Sequence, residues 1–213
     1  MSRRGQFITF EGTEGVGKST QLANAAKTLE ALGVEFIVTR EPGGTPMAEA
    51  IRELLLAPRE ESVNDTTELL LMFAARAQHL NNRILPALDE GKWVLCDRFT
   101  DATFAYQGGG RGVLTERIAL LETLVQGDIR PDHIILLDAP VETGMARARN
   151  RGELDRFELE DLEFFQRIRD AYLARAVALP SRYHVVNAAL PLEEVSESIS
   201  GLLKGLFRMA GSA

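Results

Sequence analysis

Residues Gly12-Thr13-Glu14-Gly15-Val16-Gly17-Lys18-Ser19 fit the pattern G-x-x-x-x-G-K-[ST]. They stand between a short apolar run, Phe7-Ile8-Thr9-Phe10, and a helix-like stretch that opens near Ser19. Strand, glycine loop and helix, in that order, form the context in which such a loop wraps phosphate. Glycine enters left-handed conformations without a Cβ clash. Successive N–H groups then face an anion at the positive end of the following helix. Lys18 is expected at the β- and γ-phosphates and the Ser19 hydroxyl on Mg²⁺. An ordinary glycine-rich turn is the weaker alternative. The pattern predicts a nucleoside triphosphate site.

The rest of the chain supplies a fold to carry that loop. Short, nearly continuous apolar runs at Phe7–Phe10, Glu35–Thr39, Trp93–Cys96, His133–Leu137 and Tyr183–Val186 read as strands buried on both faces. Between the first two, Leu22, Ala25, Leu29 and Leu32 mark one helix face that Gly33 stops. Thr45-Pro46 reads as an N-cap and first helical residue, for a segment ending near Ala57-Pro58. Asp65, with Glu68 three positions on, opens a long helix that Pro86 should bend or end. Further helices are predicted over Thr115–Gln126, Val141–Arg149, Leu159–Leu179 and Leu192–Phe207. Alternating β and α elements predict a single α/β domain over residues 1–213, a five-stranded parallel sheet with helices on both faces. The length suits one such domain with a sizeable core.

Charge and cysteine usage narrow the function. A net charge of −7 argues against a protein that coats DNA or RNA, which needs a basic footprint. No apolar run approaches a membrane span, and Met1-Ser2-Arg3-Arg4-Gly5 leads straight into the first strand. Cys96 is the sole cysteine and is expected in the sheet core, without a disulfide or cysteine-based zinc site. These features point to the cytoplasm.

A second constellation begins where Trp93-Val94-Leu95-Cys96 runs into Asp97-Arg98. An acid at the C-terminal end of a sheet strand lies where open α/β folds bind ligands. There Asp97 can hold the shell of Mg²⁺ while Arg98 forks onto a phosphate. Thr39-Arg40-Glu41-Pro42-Gly43-Gly44-Thr45 follows the second strand, and Arg52 lies one helical segment later. Met72 and Phe73 each share a helix face with Arg76, an arrangement able to cover and hydrogen-bond a base. A core stripe with a snorkelling arginine is the plainer reading. Thr103 to Gly112 supplies polar groups on a segment ending in a flexible Gly108-Gly109-Gly110 loop. Arg147, Arg149, Arg151 and Arg156 crowd one stretch, as arginine clamps around a transferring phosphoryl group do.

Together these segments resemble the bacterial thymidylate kinase family of P-loop nucleoside monophosphate kinases. The resemblance runs from about Phe7 to Leu192. It is carried by the glycine loop with Glu14, Arg40-Glu41-Pro42-Gly43-Gly44, Phe73-Ala74-Ala75-Arg76, Asp97-Arg98-Phe99, residues 105–112 and residues 149–156. It implies transfer of a phosphoryl group from ATP to dTMP, giving dTDP for dTTP synthesis and DNA replication, with Mg²⁺ as cofactor. Gly12 to Ser19 and Thr20 are then the ATP-binding loop, with Ser19 and Asp97 at the metal. Glu14 corresponds to the carboxylate that orients the acceptor near its 3′-hydroxyl. Arg52 and Arg98 correspond to the grip on the acceptor phosphate, and Arg76, Thr103 and Gln107 to the residues reading the thymine edge. Tyr106 corresponds to the ring that crowds the sugar's 2′ position, and Glu41 falls in the dTMP site. Residues from about 147 to 158 resemble the mobile lid of the subgroup whose catalytic arginine lies there, here among Arg149, Arg151 and Arg156. Gly15 stands where the other subgroup has arginine. A homodimer packed through helices is also implied.

Two positions depart from the family pattern. Where many relatives have a stacking phenylalanine, four residues before the helical arginine, this chain has Met72, with Phe73 beside it. Either the thioether covers the base or Phe73 takes over. Near the last strand, Asn187-Ala188 replaces an acidic residue before alanine.

The implied nucleophile is a phosphate monoester, already largely dianionic at neutral pH with a second pKa of about 6. No general base is needed, so His79, His133 and His184 are expected to be structural or surface residues. Catalysis then rests on approximating two anions under a positive field from Lys18, Mg²⁺, Arg98 and a lid arginine. The rival readings are a kinase for another nucleotide or a nucleoside, and a nucleotide-driven switch. The switch would leave Arg76, Tyr106, Gln107 and the lid arginines without a role.

Overall fold

The computed structural model describes residues 4–149 and 156–212. Five parallel strands form one sheet in the order β2-β3-β1-β4-β5. They are β1 (Phe7–Glu11), β2 (Phe36–Arg40), β3 (Trp93–Asp97), β4 (His133–Asp138) and β5 (Tyr183–Asn187). Each ladder continues one residue past the apolar run, onto a polar side chain: Glu11, Arg40, Asp97, Asp138 or Asn187. The register brings Phe10 opposite Asp97, and Asp97 opposite Arg40. A parallel sheet thus gathers its polar strand ends along one edge. The central strand β1 connects back through α1 to β2 on one side of the sheet, whereas β4 connects outward to β5 on the other side, and this change of direction makes that edge a ligand crevice.

Helices α1 (Lys18–Ala31) and α9 (Leu192–Ser212) cover one face. Leu22, Ala25 and Leu29 of α1 share a buried cluster with Val195, Ile199, Leu203 and Leu206 of α9 and with Ile8, Phe10, Leu95 and Leu137 of the sheet. On the other face α7 (Val141–Arg149) and α8 (Leu162–Ala178) bury Met145, Phe165, Ile168 and Tyr172 with Ile134 and Leu136. Asp161 caps α8 by accepting the Phe164 N–H at 2.7 Å, which starts that helix later than the periodicity predicted.

Two connections position the site. Helix α2 (Pro46–Leu56) is capped by Thr45, as its sequence indicates, and packs on α3 (Asp65–His79). The cap of α3 is Asn64, whose side chain accepts the Thr66 N–H, rather than Asp65. Glu68 is consequently free of any capping duty and is buried. Pro86 bends the chain without ending it: a π-helical turn at Leu80–Ile84 leads into α4 (Leu85–Asp89). A wider turn accommodates the N–H that proline lacks.

After β3 the chain forms α5 (Thr100–Thr103), a π-helical stretch Phe104–Gly110 and α6 (Thr115–Gln126). The glycines expected to make this segment flexible instead permit close packing. A Cβ on Gly109 would lie 2.9 Å from the Arg167 carbonyl oxygen, and one on Gly110 2.6 Å from the Phe164 ring. Cys96 is buried in the sheet as expected, and burial pushes its thiol well above the usual range. No helix among the described residues is long and apolar enough to cross a membrane.

Candidate active site

The phosphate loop leaves β1 with φ of 137° at Gly12, 70° at Gly15 and 92° at Gly17. These are left-handed values that the glycines adopt without strain. No side chain caps α1 at Gly17, so its first N–H groups are left for a ligand. Glu14, Gly15, Gly17, Lys18, Ser19 and Thr20 line a cavity of about 460 Å³. Thr13 is buried and Val16 points into the core, so these two serve the loop through their backbone. The Lys18 ammonium donates to the carbonyls of Thr13 at 2.7 Å and Gly12 at 3.2 Å, and lies 4.0 Å from Glu14. Burial, with the Arg98 charge beside it, pushes its pKa below the ordinary lysine value.

Arg98 is the only non-glycine with positive φ, 66°, among the described residues. Its guanidinium donates to the Gly12 carbonyl at 2.8 Å, the Glu14 carboxylate at 2.6 Å and the Tyr106 hydroxyl at 2.9 Å. A further bond runs to the Tyr172 hydroxyl at 3.2 Å. Tyr106 in turn donates to Glu14 at 2.9 Å. Behind this group sits Glu11, which accepts the Phe99 N–H at 2.7 Å and the Tyr172 O–H at 2.8 Å. Glu11 therefore braces the backbone just after Arg98 and, through Tyr172, the guanidinium itself. Burial, then the nearby Asp101 charge, raises the Glu11 pKa to about 8. Burial also keeps the Tyr106 and Tyr172 phenols far above their usual range. Sequence reasoning missed Glu11 and Tyr172; a lone acid at the end of an apolar strand was the available signal for Glu11.

Arg52 also lines the cavity and donates to the Pro42 carbonyl at 2.9 Å, just after the cis Glu41–Pro42 peptide. Asp97 lines it too, and its Oδ1 is buried without a hydrogen-bond partner. An orphaned carboxylate oxygen is costly unless a ligand satisfies it. With the Ser19 hydroxyl on the same cavity wall, this oxygen-only donor set fits a hard, largely hydrated ion such as Mg²⁺.

The far end of the cavity is formed by Leu56, Met72, Arg76, Ala102, Thr103, Tyr106 and Gln107. Met72 faces the cavity. Phe73 does not: it packs with Leu69, Phe104 and Ile118, its ring 4.8 Å from the Arg76 guanidinium carbon, because its face of α3 meets α6. Its expected role as a cover for the base is corrected accordingly. Arg76 is buried and donates to Glu41 at 2.7 Å and Thr103 at 3.0 Å, while its Nη1 has no partner. Glu41 also bonds His79 at 2.9 Å, and His79 reaches Thr39 at 2.6 Å. Glu41 therefore acts on Arg76, with buried His79 as its structural support. His133 and His184 lie against each other on β4 and β5 at 3.2 Å.

The arginine-rich stretch divides. Arg147 lines the cavity and donates to the Ala188 carbonyl at 3.1 Å. The Arg149 side chain and Arg151, with the rest of 150–155, lie outside the described residues. Arg156 bonds the Leu55 carbonyl at 2.9 Å and the carboxylate of Glu68, with its guanidinium 4.5 Å from the Phe157 ring. It thus engages α2 and α3. Asn187 turns its side chain back to accept the Ala189 N–H at 3.0 Å.

One cavity therefore joins a phosphate loop, several arginines and a polar pocket around Arg76, Thr103 and Gln107. Comparison with known proteins gives the same direction. A family model described as thymidylate kinase matches residues 10–199. The chain is 59% identical over 206 residues to a thymidylate kinase of Pseudomonas fluorescens strain SBW25, covering 97% of this chain and 98% of that one. It is 60% identical over 202 residues to a thymidylate kinase of Pseudomonas entomophila strain L48, covering 95% and 96%. The crystal structure of thymidylate kinase from Ehrlichia chaffeensis superposes with a TM-score of 0.76 at 35% identity, covering 94% of this chain and 99% of that one. The chain belongs to the thymidylate kinase family, whose reaction is the phosphorylation of dTMP to dTDP.

Proposed function

We propose that this cavity transfers the γ-phosphoryl group of ATP to dTMP, with the donor on the glycine loop and the base between Met72 and Arg76. The carrying observation is the continuity of one cavity from Lys18 and Ser19, past Arg98 and Arg52, to Arg76 and Gln107. Two anions bound along that line meet where the guanidinium of Arg98 sits. A dTMP phosphate oxygen attacks the γ-phosphorus and ADP leaves, so no proton must be removed to make the nucleophile. Lys18, released from the loop carbonyls of Gly12 and Thr13, neutralises charge on the donor phosphates. Arg98 exchanges its bonds with Glu14 for the acceptor phosphate, and Glu14 becomes available to the sugar. Tyr106, hydrogen-bonded to both, supplies the ring beside the 2′ position. Ser19 and Asp97 would hold Mg²⁺, which when bound neutralises phosphate charge.

The stretch from about 147 to 158 is read as a mobile lid on this single domain, carrying the catalytic arginine among Arg149, Arg151 and Arg156. Gly15 supports that subgroup assignment, since a side chain there would strike the Gly144 carbonyl. Closure of such a lid would keep water from the phosphates. A homodimer is also proposed. α3 and α6 pack on each other and leave Leu70, and Leu120 with Leu124 one turn apart, exposed. Exposed leucines on adjoining helices suit an isologous contact. The reaction belongs to dTTP synthesis in the cytoplasm, where a chain with one cysteine needs no oxidising surroundings.

The test is ADP formation from ATP and Mg²⁺ with dTMP, dUMP, dCMP, dGMP, thymidine or no acceptor. Turnover with dTMP and little with thymidine or no acceptor is expected. Slow hydrolysis that ignores the acceptor would discard the assignment.

A further inference from the structure

Two residues at the base end of the cavity each carry a polar atom without an intramolecular partner. One is Arg76 Nη1, a buried donor with nothing to bond. The other is Gln107 Oε1: the amide's Nε2 donates to Glu68 Oε1 at 2.9 Å, which leaves the carbonyl oxygen as the group available to a ligand. Which way round a glutamine amide sits is fixed by its hydrogen-bond partners. Here the partner is a buried carboxylate that also bonds Arg156 through Oε2, with the Arg111 guanidinium 3.6 Å from Oε1. A carboxylate between two guanidiniums can only accept. The Gln107 NH₂ must therefore face Glu68.

We propose that Glu68 is a specificity-determining positioning residue, holding the Gln107 amide so that the pocket presents one donor and one acceptor matching a 4-oxo pyrimidine with a protonated N3. The proposal rests on the assignment of Arg76 and Gln107 to the base. Thymine and uracil carry a carbonyl at C4 and an N–H at N3, which complement Arg76 Nη1 and Gln107 Oε1. Cytosine reverses both positions, with an amino group at C4 and a bare lone pair at N3. It would set donor against donor and acceptor against acceptor in a buried pocket. Sites that hydrogen-bond a substrate edge reject mismatched analogues far more strongly than apolar pockets reject a missing methyl. Without a fixed acceptor behind it, the Gln107 amide could turn over and offer cytosine N3 its NH₂ group. Arg111 and Arg156 contribute by charge, and the lid-side Arg156 is thereby tied to the reading of the base.

The experiment compares kcat/KM for dTMP, dUMP and dCMP in the unmodified protein, Glu68→Gln and Glu68→Asp. The glutamine variant removes the acceptor-only partner. The aspartate variant keeps a charge for the arginines but withdraws it from Gln107, so it serves if the first folds poorly. Each variant is expected to lower the dTMP-to-dCMP ratio at least ~10-fold, while dTMP-to-dUMP stays within about twofold, since those two share an edge. A general loss of activity leaves both ratios unchanged and overturns the role of Glu68. An unmodified protein that accepts dCMP as well as dTMP overturns instead the assignment of Arg76 and Gln107, and this inference with it.

Discussion

The backbones of Gly15 and Gly144 meet: a Cβ on Gly15 would stand 1.8 Å from the Gly144 carbonyl oxygen, and one on Gly144 2.4 Å from that of Glu14. The phosphate loop is thus seated directly on α7, the helix that leads into the arginine-rich stretch. Gly144→Ala must push them apart, and overpacking of this kind costs about 1–3 kcal/mol. A lowered Tm is expected, together with a rise in KM for ATP larger than that for dTMP. Equal changes in the two KM values would mean that the contact is structural only. The same clash argues that this loop cannot host an arginine at position 15, which agrees with the proposal that a lid arginine supplies charge to the transferring group.

Lys18 is buried against carbonyl oxygens of the glycine loop, where the proposed reaction brings an anion. Its lowered pKa says that the folded chain disfavours this charge. Lys18→Ala should therefore lower kcat at least ~100-fold, the scale of losing a preorganised donor. The same change should leave Tm unchanged or raise it. A steady-state assay beside a thermal melt checks both, and a large drop in Tm with modest loss of turnover would contradict the reading.

Met72 and Phe73 are neighbours in sequence with opposite duties. Met72 lines the cavity, so Met72→Ala should raise KM for dTMP several-fold with a small change in Tm. Phe73 is 2% exposed between α3 and α6, and truncating it should cost about 3–5 kcal/mol of stability. Urea unfolding distinguishes the two variants. A Phe73→Ala protein as stable as the parent would return the stacking role to Phe73.

Local pattern was enough for the parallel sheet, the phosphate loop and most helix limits, because strand burial and helix periodicity are properties of neighbours in sequence. It stopped one residue short at every strand, where apolar side chains give way to the polar edge that lines the cavity at Asp97 and Arg40. It read Gly108 to Gly110 as freedom, although the small size of Gly109 and Gly110 serves contact with α8, nearly sixty residues away at Arg167. It took Glu68 as a capping acid because helix starts favour such residues, whereas its partners Gln107 and Arg156 are 39 and 88 residues distant. Glu11 was passed over for the same reason, as Tyr172 lies 161 residues further on. The phosphate loop is written in consecutive residues; the shell that orients Arg98 and Gln107 is written only in the tertiary structure.

Glu11 offers a test in stability as well as in catalysis. Its carboxyl titrates at about 8 in the fold, raised from 4.5 by burial and then by Asp101. Between those values the folded protein keeps a proton that the unfolded chain has released. Since stability falls with pH wherever the native state binds more protons, the contribution of Glu11 is fully present below about pH 4.5 and is lost as pH rises toward 8. Glu11→Gln removes that titration. The difference in Tm between variant and parent should therefore shift in favour of the variant as pH rises from 5 to 8, whatever its value at pH 5. In the same variant the bracing of Phe99 N–H and Tyr172 is altered, so kcat/KM for dTMP should fall while KM for ATP holds within about twofold. Tyr172→Phe should show the kinetic effect without the pH-dependent one, because it takes away the link to Arg98 and leaves the carboxyl in place. A flat difference in Tm across that range would mean that Glu11 is ionised in the fold, with Arg98 and Tyr172 outweighing its burial.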